Sequence, residues 1–347
     1  MPAAPRFTIP GRKNGKLGLP RALWATSQSL PNKHPPALAG RSTEYCFRPC
    51  RPAIQSPIHL PHHSLTTFLT PASVLAAANK PVGVFDSGIG GLSVLRHIQA
   101  QLPQENVLYF ADSNFAPYGG RAEQFIVDRA LAITDFLLQQ GAKAIVVACN
   151  TATAAAIKAL RARYPQLSII GVEPGLKPAA ALTKNNTIGV LATQRTLASG
   201  KFKHLSEQIS ASTGVRILTQ ACIGLADQIE KGELQSAATA LLVQSYVGPL
   251  VAQGADTLVL GCTHYPFVLP LLQDAAHRAT SDPVTIIDTG RPIALQLERL
   301  LKNHDLLNTS ANPGQLQAFT TGDESALKVA LSNLLHLQAS VALVTVG

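Results

Sequence analysis

Charged side chains are scarce in this chain of 347 residues, 14% in all, and acids are almost missing from its start. Residues 1–80 hold ten Lys and Arg against one acid, Glu44, whereas residues 81–347 hold nineteen of each sign. The net charge of +9 therefore sits in the first 80 residues. The neutral remainder argues against nucleic-acid or membrane-surface binding by the folded part. No stretch reaches the roughly 18 uncharged apolar residues of a membrane span, and no secretory apolar region stands near the start. Five cysteines, an odd number without framework spacing, argue against a disulfide scaffold and suit a reducing cytoplasm. No lysine has an obvious pyridoxal phosphate context, and no metal-ligand cluster stands beyond residue 80, so no cofactor and no metal are expected.

Residues 1–80 are rich in Pro, Ser and Arg and lack helical or strand periodicity, which predicts a disordered basic N-terminal extension. Its composition fits an organelle transit peptide, an upstream extension from a misplaced start (Met1 is the sole methionine), or a basic arm for nucleic acid. Cys46 and Cys50, with His59, His62 and His63 downstream, could suggest zinc, but the spacing fits no standard template.

From residue 81, short apolar runs alternate with amphipathic segments. Strands are expected at 81–85, 107–111, 144–148 and 168–172. The scheme then restarts, with strands at 187–191, 215–219, 257–260 and 284–288, long helices over 196–212 and 235–253, and a closing helix and strand at 325–337 and 340–345. This alternation predicts an α/β protein with parallel sheets and helices on both faces. An internal repeat runs through it. Residues 140–142 (QGA) match 253–255 at the offset that sets Cys149 on Cys262, and 82–87 (VGVFDS) resemble 188–193 (IGVLAT), with Asp86 replaced by Ala192. Two similar halves follow.

In open parallel sheets, ligands bind beyond the carboxyl ends of the strands. Asp86-Ser87, Asp112, Cys149-Asn150-Thr151, Glu173, Thr193, Cys262-Thr263-His264 and Asp288-Thr289 all fall at such ends. A polar residue there is commonly only a helix N-cap; cysteine is a poor cap, so its recurrence in both halves favours function. Both thiols precede apparent helices, and His264 follows Cys262 by two residues, which would draw their pKa values toward neutrality. Two equivalent thiols suggest a two-base proton shuttle that inverts a stereocentre, whereas one essential thiol would suggest a hydrolase or decarboxylase. The turn 86–91 (DSGIGG) invites a dinucleotide reading, but it lacks the third glycine and carries Asp86 where pyrophosphate would sit. It could equally hold a single carboxylate at a helix N-terminus. The loop 117–120 (PYGG) could close over a small ligand or be a simple turn.

Together, residues 83–92 (GVFDSGIGGL), Asp112 with 117–119 (PYG), 147–152 (VACNTA), 171–174 (GVEP), 188–193 (IGVLAT) and 261–266 (GCTHYP) resemble bacterial glutamate racemases, cofactor-independent members of the aspartate/glutamate racemase superfamily. The likeness runs over roughly 81–347. It implies two pseudo-symmetric flavodoxin-like domains, 81–174 plus 285–347 and 175–284, with the active site between them. It implies Cys149 and Cys262 as acid/base thiols, assisted by Asp86 and His264 respectively, with Glu173 supporting His264. It also implies substrate contacts at Asp86, Ser87, Tyr118, Gly119, Asn150, Thr151, Thr263 and His264. The activity implied is interconversion of L- and D-glutamate in the cytoplasm for peptidoglycan synthesis, by a homodimer without nucleic-acid or membrane partners. Aspartate racemisation is the nearest alternative. Because Asp86 and His264 differ, their loss should affect the two reaction directions unequally.

Overall fold

The computed structural model describes residues 76–347; the basic extension and the Cys46/Cys50 group lie outside the described residues. The first sheet begins with β1 (Val82–Asp86), β2 (Val107–Ala111), β3 (Ala144–Val147) and β4 (Ser168–Gly171). The second holds β5 (Thr187–Ala192), β6 (Arg216–Ala221), β7 (Thr257–Gly261) and β8 (Thr285–Ile287). Then β9 (Leu316–Thr320) and β10 (Ser340–Leu343) return to the first. The orders are β10-β9-β2-β1-β3-β4 and β6-β5-β7-β8, and every pairing is parallel. In each set of four the spatial order is second, first, third, fourth. The repeat seen in the sequence is thus also a repeat of topology.

The inner strands β1, β2, β3, β5 and β7 are buried along their whole length because both faces are covered. Val82, Val84 and Val146 face α1 (Leu92–Gln101) and a later helix, Gly290–Asn303. Phe85, Ile145 and Val147 face α2 (Glu123–Gln139) and α3 (Asn150–Arg163) on the other side. In the second sheet, Ile188, Val190 and Val259 pack on α4 (Leu176–Leu182) and on α6 (Gly200–Thr213), which follows the short α5 (Gln194–Ala198). Leu191, Leu258 and Leu260 pack on α7 (Leu225–Glu230), α8 (Ala237–Ala252) and α9 (Leu269–Ala279). Helices α10 (Gly290–Asn303) and α11 (Glu324–Leu335) complete the chain.

Three details differ from the sequence reading. Residues 285–287 pair with β7 (Thr257 opposite Thr285), so the return to the first sheet comes after Ile287, rather than before residue 285. The single helix expected over 196–212 is two. Thr193 caps the first and Ser199, extended at φ −65° and ψ 141°, caps the second by accepting from Phe202 N at 3.1 Å. Two hydroxyl caps six residues apart restart the helix. Strand β9, which the sequence reading lacked, inserts between β2 and β10.

At the opposite ends of the strands, Lys143 and Glu105 form an ion pair at 2.5 Å with side chains 2% and 1% exposed. Glu105 also accepts from Asn308 N at 2.7 Å, and Lys143 donates to Leu306 O at 2.8 Å. Burial holds Lys143 below its ordinary pKa, against the pull of Glu105. Removing one partner strands the other's charge, so Glu105→Ala should lower the unfolding free energy by about 3 kcal/mol in chemical denaturation. The double variant Glu105→Ala/Lys143→Met should lose clearly less.

Candidate active site

Strand β1 ends in Asp86, and the chain turns through 87–91 into α1. The Asp86 Oδ2 accepts from Gly91 N at 2.9 Å and from Gly88 N at 3.3 Å, and Tyr109 donates to Gly88 O at 2.8 Å. The glycines are there because the second half sits directly on the turn. A Cβ on Gly88 would lie 2.0 Å from Glu230 Oε1, and one on Gly90 would lie 2.3 Å from His264 Nδ1. Ile89 N donates to Glu230 Oε1 at 2.9 Å. The turn does hold a carboxylate, as its glycines suggested, but the carboxylate is the protein's own. Ser93, in α1, adds a second tie by donating to Thr263 O at 2.7 Å.

Cys149 lies just past β3 and is itself the N-cap of α3, contrary to the low expectation for cysteine there. Its sulfur accepts from Ala152 N at 3.4 Å and lies 3.8 Å from Ser87 Oγ. The helix terminus does not bring this thiol toward neutrality. Burial and then the Asp86 charge push it well up, and the Ala152 N–H only partly opposes them. Burial pushes Asp86 up as well, with His264 opposing. Asp86 is fully buried, and its Oδ1 has no hydrogen-bond partner among the described residues.

Cys262 is placed differently. A one-turn helix, Tyr265–Val268, separates it from α9, so no α-helix begins at this sulfur. Its neighbour is His264, whose Nδ1 is 3.6 Å away, while His264 Nε2 meets Glu230 Oε1 at 2.5 Å. Burial alone would drive the imidazole down. Hydrogen bonds to Cys262 and Glu230, with their charges, outweigh it and hold His264 well above its ordinary value. Burial would likewise raise Glu230, but His264 and the Ile89 N–H hold it low. The pair is therefore ionised. The two sulfurs are near enough that Cys262 contributes to raising Cys149.

Glu173, expected to support His264, does not reach it. It is exposed and pairs with Lys201 Nζ at 2.7 Å, because it follows β4, the edge strand of the first sheet. Glu230 occupies the position instead. It lies 34 residues before His264, at the end of α7 and away from any strand end, so no spacing in the sequence pointed to it.

Neutral groups complete the site. Asn150 is 3% exposed, and neither atom of its amide has a partner among the described residues. Thr151 Oγ1 lies 3.0 Å from Thr193 Oγ1 and 3.4 Å from Thr196 Oγ1, linking the start of α3 to the second half. Thr196 was not anticipated. Tyr118 is buried, but its hydroxyl donates to Asp112 Oδ2 at 2.5 Å. Asp112 also accepts from Arg129 Nε at 3.0 Å and Nη2 at 2.7 Å, and from Thr321 at 3.0 Å. With Tyr118 so held, Gly119 is the loop residue that faces the second half, its Cβ position 3.5 Å from Thr193.

A family model described as Asp/Glu/Hydantoin racemase matches residues 82–296. The chain is 53% identical over 262 residues to the glutamate racemase of Ectopseudomonas mendocina, covering 75% of this chain and 97% of that one. Its fold is similar to the crystal structure of glutamate racemase isoform RacE1 from Bacillus anthracis, with TM-score 0.70 and 32% identity, covering 77% and 98% of the two chains. It is also similar to the Francisella tularensis glutamate racemase in complex with D-glutamate, with TM-score 0.66 and 27% identity, covering 77% and 98%.

The ionised His264–Glu230 pair sets a pH dependence. His264 is raised, so its stabilisation is complete below about pH 6.5 and fades as pH rises through its folded pKa. Glu230 is lowered, so its stabilisation is present above its unfolded pKa and fades as pH falls through the folded one. Glu230→Gln should therefore cost most stability near pH 5–6, about 1–3 kcal/mol, and progressively less at alkaline pH. Denaturant titrations of both proteins across pH check this.

Proposed function

The chain belongs to the Asp/Glu/hydantoin racemase family and is an amino-acid racemase, and we propose that it interconverts L- and D-glutamate by Cα proton transfer between Cys149 and Cys262. The observation that carries the mechanism is the pairing of thiols at matching strand ends of a duplicated fold. Each half contributes one sulfur, 5% and 7% exposed, to one buried site. One thiolate takes the proton from one face of Cα, and the opposite thiol delivers a proton to the other face, which inverts the centre. The names of the curated relatives and the D-glutamate bound to the Francisella enzyme support glutamate as substrate. D-Glutamate made here would feed peptidoglycan synthesis.

The roles differ between the two sides. Asp86, raised by burial and facing Cys149, is suited to take up that thiol's proton when substrate arrives. His264, cationic and ion-paired with Glu230, is suited to stabilise a thiolate on Cys262. The substrate carboxylates meet neutral donors: the free Asn150 amide and the hydroxyls of Ser87, Thr151, Thr193 and Thr196. Thr263, whose O accepts from Ser93, and Gly119, which faces Thr193, lie at the same seam.

The direct test is deuterium uptake at Cα in D₂O, with both enantiomers of glutamate and of aspartate and no added cofactor. Exchange confined to aspartate would overturn the substrate assignment. Cys149→Ser and Cys262→Ser should each lose about 10²–10⁴ in rate, and undiminished racemisation in either would refute the two-thiol mechanism.

Asp86→Asn and His264→Asn provide a second test. Enantiomers are isoenergetic, so kcat/KM must fall equally in both directions for any variant. The inequality expected from the different partners must appear in kcat and KM taken separately. Progress curves from each enantiomer should show the two variants skewing kcat in opposite senses. Identical skew would remove the distinction between the two sides.

A further inference from the structure

Tyr265 is completely buried, yet its hydroxyl has no hydrogen-bond partner among the described residues. It opens the one-turn helix that follows Cys262-Thr263-His264, and its N–H donates to Cys262 O at 3.2 Å. Its side chain packs in one cluster with Cys262 and Cys222. Cys222 lies one residue past β6 and donates its thiol proton to Gln220 O at 3.6 Å. The phenol is pushed well up by burial and then by both sulfurs, so it keeps its proton. Burial raises Cys222 to about 12.

A buried hydroxyl without a partner destabilises the fold, so its presence calls for a partner that forms only in another state. A neutral thiol is a weak acceptor, whereas a thiolate accepts charge-assisted hydrogen bonds strongly. On the proposed two-thiol mechanism, a thiolate forms on Cys262 once in every turnover. The donors around the other thiol suggest a match. Cys149 has one N–H donor, from Ala152, and one hydroxyl nearby, from Ser87. Around Cys262, the His264 imidazole is the N–H donor.

Resting on that mechanism, we propose that Tyr265 is a positioning residue for Cys262, its hydroxyl becoming the second donor to the Cys262 thiolate. No proton leaves Tyr265. The Cα proton passes to or from the Cys262 sulfur while the phenol lowers the energy of the charged form.

Tyr265→Phe tests this, because it keeps the ring and removes only the unpartnered hydroxyl. The melting temperature should stay the same or rise. kcat/KM at neutral pH should fall about tenfold in both directions, and the acid limb of its pH profile should move up by about one pH unit. Wild-type kinetics with an unshifted profile would overturn the proposal. So would a lowered melting temperature with a proportional loss of activity, which would make the hydroxyl structural. Cys222→Ala separates the two sulfurs and should keep near-normal kinetics. If it reproduces the Tyr265→Phe loss, the hydroxyl acts through Cys222 and the proposal fails. Full activity in Cys262→Ser would instead refute the underlying mechanism, leaving the two failures distinguishable.

Discussion

The carboxylate of Glu230 is the contact on which the site depends. One of its oxygens receives both the Ile89 N–H of the first half and the His264 ring of the second. That arrangement dictates glycine at 88 and 90, where any side chain would overlap the charged pair. It also fixes the electrostatics, because a buried imidazole without a carboxylate would be neutral. With Glu230 low and His264 high, a full positive charge stands beside Cys262 inside the protein. The same contact, with Ser93 bound to Thr263 O, keeps the turn after β1 registered against the loop after β7.

The two halves share topology and differ in charge. Asp86 ends β1, and Ala192 stands at the matching end of β5. The first half thus sets a carboxylate beside its thiol and the second an imidazolium. A symmetric scaffold is a direct way to present two bases to opposite faces of one carbon. Asymmetric surroundings let each sulfur be tuned on its own. The positions where the repeat breaks, at 86/192 and in the different helix starts after the two cysteines, are therefore where chemistry departs from architecture.

What the sequence displayed was local. Strand ends are marked by apolar runs that stop at a polar residue, and so Asp86, Cys149, Cys262 and His264 could be placed from their neighbours. The assignments that depended on distant partners went astray. Glu173 stands at a strand end and resembled a supporting carboxylate, yet it belongs to an edge strand and pairs with Lys201. Glu230 stands at no strand end and is brought in by packing of α7. The glycines of the turn were ambiguous, because a backbone bared for a ligand and one bared for a buried side chain look alike in sequence. The Tyr118 hydroxyl is held by Asp112, which an arginine seventeen residues further on also holds, and no spacing in the sequence marks that network. The helix break at Ser199 and the strand 316–320 reflect capping and sheet pairing that periodicity does not register.

For Cys149 the expectation of an acidic thiol also gives way to a more useful picture. A carbon acid next to an ammonium and a carboxylate releases its proton reluctantly, and a base works better as its own pKa rises toward that of the carbon. Burial that raises Cys149 therefore makes its thiolate a stronger base once formed. The difficulty shifts to populating that thiolate in a dry site. This is where the surroundings matter: burial raises Asp86, which favours its taking up a proton, and the cationic His264 lies within reach of the opposite sulfur. Exposed thiols of ordinary pKa would ionise more easily and abstract more weakly. On the proposed mechanism, Cys149 stays protonated until substrate arrives, so its reactivity is tied to occupancy.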